Sequence, residues 1–263
     1  MNVARLFDLL AQLRHPETGC SWDLQQDFQS LAPHTVEEAY EVADAIERGD
    51  YQDLCAELGD LLWNVVFYAH LAEQQGLFTF DGITDGIASK LIRRHPHVFG
   101  DAFYANDAER RAAWEAAKHE ERQQKAASDA VSVLDDIPRN LPALSRCEKT
   151  QDRAAHVGFD WPEAAPVFDK VEEELAEVKQ AWQSGDADHT EEEIGDLLLV
   201  VVNLARHLNV NSEQALKRAT EKFSRRFRFI EQAVQQDKGD FSRYTLAELD
   251  VLWRAVKQQE PTR

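Results

Sequence analysis

Two long apolar runs stand out in the pattern of hydrophobic and polar positions along this chain. Residues 197–205 are apolar almost all round and continue to Asn209 without a proline, and residues 61–71 follow the same pattern. Short apolar runs form either strands or helices, but the length of these uninterrupted segments favours buried helices. A helix that is apolar on every side must be surrounded by other elements. Because one small helical repeat would not surround it, we expect packing against another copy or another subunit.

Polar segments and turn residues before each apolar run predict a helical hairpin. Residues 35–48 contain no proline or glycine, and Gly49 follows them in the position after a helix C-terminus that glycine favours. Thr35-Val-Glu-Glu38 and Thr190-Glu-Glu-Glu193 have the spacing of a capping box, in which a threonine precedes the first turn. We therefore expect the second helix of the C-terminal hairpin to begin near Thr190.

The chain contains an internal duplication. Residues 35–70 align with residues 171–206 at a constant offset of 136, and each copy has a Gly-Asp pair in its predicted turn. Two further pairs of segments match one another, Lys90–Arg94 with Lys222–Arg226 and Trp114–Lys118 with Trp253–Lys257. A duplicated helical unit of about half the chain explains this pattern.

The duplication predicts the domain organisation. We expect an all-α fold of two tandem helical-bundle domains, the first at 1–122 and the second at 138–263. Residues 120–140 are polar and charged, which suits an exposed linker, and we assign the linker to 123–137.

Charge and composition narrow the classes of partner. The 263 residues include 48 acidic and 29 basic side chains, a net charge of −19, which disfavours binding to a nucleic-acid polymer or an anionic membrane surface. The three cysteines are scattered, as expected for free thiols in a reducing compartment. The N-terminus has no long apolar stretch, and no apolar run approaches the roughly 20 residues of a membrane span. We expect a cytoplasmic protein without a membrane partner.

Two pairs of acidic residues precede each apolar run, and the second pair stands directly before it. In both copies, 16 positions separate an E-x-x-E pair from an E-x-x-D pair, and these are Glu38, Glu41, Glu57 and Asp60 in the first copy and Glu174, Glu177, Glu193 and Asp196 in the second. Carboxylates three apart share a helix face, so a hairpin brings the two pairs together. Crowded carboxylates need raised pKa values or a cation. Hard divalent cations such as Mg²⁺ take ligands of this kind, so we predict a duplicated Mg²⁺ site.

A structural explanation of these acidic residues competes with the metal site. Glu38 and Glu193 would serve as capping-box partners, and the other carboxylates would form a solvated helix face. The preserved gap, its repetition and the apolar run that directly follows each E-x-x-D pair favour the metal site.

A basic segment in the second copy suggests what the metal would act on. Lys222, Arg225 and Arg226 have helical spacing and form a cationic edge suited to phosphates, although helix-surface solubility or pairing with Glu221 also explains them. Trp253 either stacks on a nucleobase or packs in a core. A carboxylate Mg²⁺ site beside such an edge indicates phosphate chemistry on a nucleotide. The sequence contains no P-loop motif and no serine or cysteine triad.

At these residues the chain resembles the MazG family of nucleoside triphosphate pyrophosphohydrolases. The resemblance covers essentially the whole length and includes the E-x-x-E and E-x-x-D pairs, Gly19–Asp23, Arg93–Phe99 and Val157–Trp161. It implies hydrolysis of NTPs and dNTPs between the α and β phosphates, giving the monophosphate and pyrophosphate, with Mg²⁺. It also implies an all-α homodimer whose helices complete each other's active sites.

The resemblance also assigns residues, best in the second copy, which is the expected main catalytic copy. Glu174, Glu177, Glu193 and Asp196 match the metal ligands and catalytic carboxylates. His189 stands where the family pattern has a lysine. The positions that match nucleotide contacts are Lys170, Val171, Glu172, Glu173, Glu174, His189, Thr190, Glu191, Glu192, Asp196, Lys222, Phe223, Ser224, Arg225, Arg226 and Trp253.

The two copies are not equivalent. The first copy keeps all four carboxylates as a second, weaker candidate metal site, but three neighbours differ, with His34 at the position of Lys170, Val36 at that of Glu172 and Ala56 at that of Glu192. We therefore expect the second copy to carry most of the turnover.

Other functions fit parts of the same pattern. A narrow-substrate relative, similar to dimeric dUTPases or phosphoribosyl-ATP pyrophosphohydrolases, would use the same metal motif. A nucleotide-sensing regulator that binds without catalysis would explain the weaker first copy. A di-iron carboxylate bundle needs Glu-x-x-His pairs, and this chain has none.

Overall fold

A computed structural model describes residues 3–125 and 132–259 of the chain. These residues form helices and connecting turns and contain no β-strand, so the all-α prediction is confirmed. The chain divides into two compact units, Met1–Lys125 and Ala126–Arg263. None of the helices in the described ranges is long and apolar enough to cross a membrane.

Each unit is built around one long helical hairpin. The helices of unit 1 are α1 (Ala4–Leu13), α2 (Ser21–Gln25), α3 (Phe28–Arg48), α4 (Tyr51–Gln74), α5 (Phe80–Arg94), α6 (Pro96–Phe99) and α7 (Asp107–Lys125). Those of unit 2 are α8 (Ala143–Ala155), α9 (Ala165–Ser184), α10 (Ala187–His207), α11 (Ser212–Gln236) and α12 (Leu246–Gln259), with a 3₁₀ turn at Phe241–Arg243. The α3–α4 and α9–α10 pairs are the two hairpins, and they correspond to the duplicated segments.

A glycine and an aspartate form the turn of each hairpin. Gly49 and Gly185 adopt left-handed backbone conformations with φ of 69° and 77°, which a residue with a Cβ rarely adopts. The next residue then starts the second helix, because the Asp50 side chain accepts a hydrogen bond from the backbone of Asp53 and the Asp186 side chain accepts bonds from the first turn of α10. Two residues therefore suffice to reverse the chain.

The predicted capping boxes at Thr35 and Thr190 are wrong. Helix α3 begins at Phe28, where Asp27 and Ser30 form the capping box, and α10 begins at Ala187 with Asp186 as its N-cap. Thr35 lies inside α3, where its hydroxyl donates to the Leu31 carbonyl oxygen at 3.3 Å, and Thr190 donates to the Asp186 carbonyl oxygen at 2.6 Å. Both threonines therefore bond back to their own helix.

The apolar runs are buried to different extents. In α4, Val66 and Phe67 are fully buried and form the core of unit 1 with Leu10, Leu31 and Leu71. In α10, Val200 and Val202 are buried, but Leu198, Leu199 and Val201 are 52%, 48% and 44% exposed. Unit 2 supplies α8, α9 and α11 as neighbours of α10, and these cover one side of it. The expected all-round burial is thus not reached within unit 2 alone.

The predicted linker, 123–137, includes the end of α7 and part of the segment before α8. Residues 123–125 continue α7, residues 126–131 lie outside the described part of the chain, and residues 132–137 form turns. The Arg153 guanidinium donates to the carbonyl oxygens of Val133 and Asp135 at 3.1 and 3.3 Å. The second half of the segment is therefore attached to α8.

Candidate metal and nucleotide site

The α9–α10 hairpin brings three of the predicted carboxylates together. Glu174 and Glu177 lie one turn apart on α9, and Glu193 lies in the second turn of α10. Carboxylate oxygens of these three residues all lie within 4.8 Å of one another, and Glu174 is buried. Asp196 is exposed one turn further along α10 and is not part of this group of three. We refer to Glu174, Glu177 and Glu193 as the C-terminal carboxylate cluster.

The electrostatics of this cluster reflect its crowding. Burial and the charges of Glu174 and Glu193 raise the pKa of Glu177, and the Lys170 ammonium partly opposes this. Lys170 lies 2.8 Å from carboxylate oxygens of both Glu173 and Glu174, whose hydrogen bonds raise the pKa of its own ammonium. Lys170 therefore remains charged and partly neutralises the cluster.

His189 lies beside Glu193, one turn earlier on α10. Its Nδ1 atom is 3.4 Å from Glu193 Oε1 and 3.9 Å from Glu192 Oε2. The His189 ring thus points at the carboxylates of α10. Lys170 and His189 together place a cation or a protonatable group beside each arm of the hairpin.

The α3–α4 hairpin repeats the carboxylate geometry in unit 1. Carboxylate oxygens of Glu38, Glu41 and Glu57 lie within 4.8 Å of one another, and we call these residues the N-terminal carboxylate cluster. Burial raises the pKa of Glu38, and the charges of Asp60, Glu41 and Glu57 add to this. Burial and the charge of Glu41 likewise raise the pKa of Glu57.

The neighbours of the N-terminal cluster differ from those in unit 2. His34, at the position of Lys170, lies 3.5 Å from Glu37 and contacts the ring of Trp22. At the position of His189 stands Asp53, a further carboxylate that pairs with Arg48. The groups that compensate the charge of the C-terminal cluster are thus replaced in unit 1 by groups directed elsewhere.

The donor atoms of both clusters fit a hard divalent cation. In each cluster three carboxylates converge within the reach of one ion, and the charges of neighbouring carboxylates add to the effect of burial in raising the pKa of Glu38 and of Glu177. Oxygen ligands of this type suit Mg²⁺, Mn²⁺ or Ca²⁺ better than a softer metal.

Comparison with known proteins identifies the family. The model of the MazG nucleotide pyrophosphohydrolase domain matches residues 26–99 and 167–228. The chain is 50% identical over 261 residues to a nucleoside triphosphate pyrophosphohydrolase of Escherichia coli K12, covering 98% of each chain. It is 40% identical over 257 residues to the nucleoside triphosphate pyrophosphohydrolase/pyrophosphatase MazG of Thermotoga maritima, covering 98% of this chain and 96% of that protein. The chain belongs to the MazG family.

The two segments that match the MazG domain correspond to the two hairpins. Both carboxylate clusters fall within them, as do Lys90–Arg94 and Lys222–Arg226. A nucleoside triphosphate pyrophosphohydrolase of Mycobacterium tuberculosis matches a smaller part, at 38% identity over 158 residues, which is 59% of this chain and 46% of that protein.

The basic segment of unit 2 lies on α11, beside α12. Phe223 has its ring centre 5.2 Å from that of Trp253, and the Arg226 guanidinium lies 5.7 Å from the centre of the Trp253 ring. Phe227 stacks on Phe223 with the ring centres 6.0 Å apart. Trp253 is therefore partly buried against α11, and it holds the aromatic and cationic members of the predicted nucleotide site together.

The remaining predicted contacts lie on the hairpin itself. The half-buried members are Val171 on α9 and Thr190 on α10. The exposed members are Glu172, Glu173, Glu191 and Glu192 on the hairpin and Lys222 on α11. Ser224, also on α11, is half-buried.

One supporting contact was missed by the sequence reasoning. Asp160 Oδ1 accepts hydrogen bonds from Arg206 at 2.6 Å and from His207 Nε2 at 3.0 Å. Burial opposes ionisation of Asp160, but these hydrogen bonds outweigh it and the pKa of Asp160 is lowered. This ion pair joins the segment before α9 to the end of α10. The only sequence signal for it was the Gly158–Trp161 segment, which precedes the second copy.

Proposed function

We propose that this protein hydrolyses nucleoside triphosphates, both NTPs and dNTPs, between the α and β phosphates to give a nucleoside monophosphate and pyrophosphate. Membership of the MazG family supports this activity, as do the names of relatives that match nearly the full length. The observation that carries the proposal is the C-terminal carboxylate cluster, in which Glu174, Glu177 and Glu193 converge within a segment that matches the MazG domain.

We assign the metal to Mg²⁺, with Glu174, Glu177, Glu193 and Asp196 as its ligands. Asp196 would complete the set from its position one turn after Glu193 on α10. When bound, the ion polarises phosphate oxygens and favours ionisation of the attacking water. This water would attack one of the two phosphorus atoms that share the α–β bridging oxygen, the bond from that phosphorus to the bridging oxygen would break, and the proton released by the water would pass to solvent as the monophosphate and pyrophosphate leave.

The side chains around the cluster have distinct proposed roles. Lys170 stays protonated and holds Glu174, which limits the repulsion between the carboxylates and the incoming phosphates. The cationic edge at Lys222, Arg225 and Arg226 binds phosphate oxygens, because guanidinium groups bind them bidentately. Trp253, fixed by Phe223 and Arg226, contacts the base. The other predicted contacts on α9 and α10 line the nucleotide.

The two copies are proposed to differ in activity. Lys170 and His189 flank the C-terminal cluster, whereas His34 and Asp53 occupy the matching positions in unit 1. An uncompensated anionic cluster repels a triphosphate more strongly. The second copy therefore carries most of the turnover.

A homodimer is proposed as the assembled form. In unit 2, the α9–α10 hairpin exposes a set of large apolar side chains, namely Leu175, Ile194, Leu198, Leu199 and Val201. An exposed apolar surface of this kind marks a protein interface. The occupant that fits the family resemblance is a second copy of this chain.

Product analysis tests the reaction. Purified protein is incubated with each NTP and dNTP, with and without Mg²⁺, and the products are separated by ion-exchange chromatography. Monophosphate with pyrophosphate is the expected result, and both should depend on the metal. Orthophosphate with the diphosphate would disprove the proposed bond cleavage. Turnover of one nucleotide alone would indicate a narrow-substrate enzyme, and binding without products would indicate a sensor.

A further inference from the structure

A cavity in unit 1 lies along α5, outside the N-terminal carboxylate cluster. Its volume is about 450 Å³, and Gly82, Gly86, Lys90, Arg93 and Glu121 contribute to its wall. The two glycines lie one turn apart, and a Cβ added at Gly86 would meet no atom within 4 Å. The absence of side chains there keeps the cavity open. The matching positions in unit 2 carry Gln214 and Arg218.

The cations beside this cavity reproduce the basic segment of unit 2. Lys90–Arg94 is the duplicate of Lys222–Arg226. Arg94 lies 5.5 Å from the ring centre of Trp114, just as Arg226 lies 5.7 Å from that of Trp253. Unit 1 therefore retains the geometry that we assign to phosphate binding in unit 2.

In unit 1, one carboxylate bonds to both arginines. Arg93 donates to Glu121 Oε1 from Nε at 3.0 Å and from Nη2 at 2.5 Å. Arg94 donates to Oε1 from Nε at 3.2 Å and to Oε2 from Nη2 at 2.5 Å. The Glu121 side chain is only 12% exposed. Both of its oxygens are therefore engaged, and its contact with Arg94 is partly shielded from water, whereas Arg93 is 54% exposed.

This carboxylate remains ionised at all ordinary pH values. Hydrogen bonds from Arg94, and then from Arg93, lower the pKa of Glu121 to about 2 against the opposing effect of burial. A phosphate that approached Arg93 through the cavity would meet a fixed negative charge in the same wall. The guanidinium groups of Arg93 and Arg94 would also already be hydrogen-bonded to another oxyanion, the Glu121 carboxylate.

We propose that Glu121 is an autoinhibitory counter-ion of the N-terminal copy, which holds Arg93 and Arg94 in an internal ion pair so that a phosphate-bearing ligand binds there only by displacing the Glu121 carboxylate. This inference rests on the proposed phosphate-binding role of Lys222–Arg226. It is drawn for Arg93 and Arg94 of unit 1, and Glu260, which has the corresponding spacing from Trp253, lies outside the described residues.

Pyrophosphate binding to the full chain tests this inference. Inorganic pyrophosphate is titrated by calorimetry with EDTA present, so that binding depends on the protein's own cations. The background carries Lys222→Gln and Arg225→Gln to remove binding by the second copy. In this background Glu121→Gln should tighten pyrophosphate binding by about tenfold, since it frees two guanidinium groups. Adding Arg93→Gln should abolish the gain.

Two further variants separate the ion pair from general effects. Glu115→Gln removes a carboxylate from the same helix, one that pairs with Lys118 at 2.6 Å, and should leave pyrophosphate binding unchanged. Glu121→Asp keeps the charge on a shorter side chain that cannot reach both arginines, and should give a smaller gain. This variant tests the inference even if Glu121→Gln fails to fold.

The outcomes distinguish this inference from the proposed function. If Lys222→Gln with Arg225→Gln leaves pyrophosphate binding to the otherwise unchanged chain unaffected, the phosphate-binding role and the inference both fail. If that pair of changes weakens binding but Glu121→Gln and Glu121→Asp add nothing, only autoinhibition is overturned. Weaker pyrophosphate binding in Glu121→Gln would make Glu121 a positioning residue for the arginines. That result would also overturn autoinhibition.

Discussion

At the scale of single residues, Glu193 and Glu57 occupy matching positions in the two hairpins and provide a direct comparison of the copies. Each contributes an oxygen to its carboxylate cluster. We expect Glu193→Gln to lower pyrophosphate release by about a hundredfold, as loss of an anionic metal ligand removes charge from the site. We expect Glu57→Gln to lower it less than about twofold if the second copy carries the turnover. Steady-state assays with Mg²⁺ and each nucleotide measure both.

Equal losses in the two variants would refute the asymmetry between the copies. Glutamine preserves the shape of glutamate in both positions, so a general packing defect is not the expected cause of a loss. Circular dichroism and thermal unfolding of the two variants provide the control for folding.

The raised pKa values of Glu38, Glu57 and Glu177 predict a pH-dependent stabilisation by metal. An acid whose pKa is higher in the folded state stabilises the fold below its unfolded pKa, and this contribution is lost as the pH rises through the folded pKa. A divalent cation replaces the lost protons. We therefore expect Mg²⁺ to raise the Tm more at about pH 8 than at about pH 5.

Thermal unfolding at both pH values, with Mg²⁺ or EDTA, measures this effect. The triple variant with glutamine at Glu38, Glu57 and Glu177 is the control and should show a smaller difference between the two pH values. A Tm increase that is as large at the lower pH would contradict the prediction.

The sequence predicted that these carboxylates lie close together because their spacing follows helix geometry. Residues three positions apart lie on the same face of a helix, and this spacing placed Glu174 beside Glu177. The same spacing did not determine that Asp196 would lie outside the group of three, because that depends on how α10 is rotated against α9. The Asp160 contact with Arg206 and His207 joins residues 46 and 47 positions apart, and no local pattern encodes such a pair.

At the scale of elements, the hairpin turn depends on Gly185. Its φ of 77° disfavours any residue with a side chain, although an added Cβ would meet no atom within 4 Å. We expect Gly185→Ala to lower the free energy of unfolding by about 1 kcal/mol through backbone strain alone. Denaturant unfolding monitored by circular dichroism measures this loss.

Gly195 provides the matched control for this substitution. It lies inside α10, and an added Cβ would also meet no atom within 4 Å. Because alanine has the higher helix propensity, we expect Gly195→Ala to raise the free energy of unfolding by about 0.5 to 1 kcal/mol. A loss of stability in Gly195→Ala similar to that in Gly185→Ala would argue against a backbone cause.

The helix starts show where local patterns mislead. Pro33 lies inside α3, so a prediction from sequence places the start of that helix after the proline, at Thr35, although Asp27 and Ser30 start it earlier. Asp186 takes the capping role that the spacing of Thr190 and Glu193 suggested. In both cases the capping aspartate lay upstream of the threonine, by eight residues in α3 and by four in α10, and the residue types alone did not decide between the two candidates.

At the scale of the whole molecule, the exposed apolar face of α10 predicts self-association. Leu198 is 52% exposed in unit 2 and lies among other exposed apolar residues of the α9–α10 hairpin. We expect Leu198→Glu to convert a dimer into a monomer, because an isolated charge in an apolar interface costs several kcal/mol. Sedimentation velocity measures the change in mass.

Leu246→Glu is the control for this experiment. Leu246 is 84% exposed at the start of α12, away from the apolar residues of the hairpin in the sequence, and the substitution should leave the sedimentation coefficient unchanged. A monomeric wild-type chain, or a Leu198→Glu variant that remains dimeric, would exclude this face as the interface.

The contact of Asp160 with Arg206 and His207 has a consequence for motion. The Gly185 turn joins α9 and α10 covalently at one end, and the Asp160 ion pair fastens the segment before α9 to α10 at the other. Two helices that are connected at both ends of a hairpin rarely separate by local unfolding of one end. The amide hydrogens around Glu174 and Glu193 should therefore exchange with deuterated water at the rate of global unfolding. In the Asp160→Asn variant, these amides should exchange faster than the amides around Phe67.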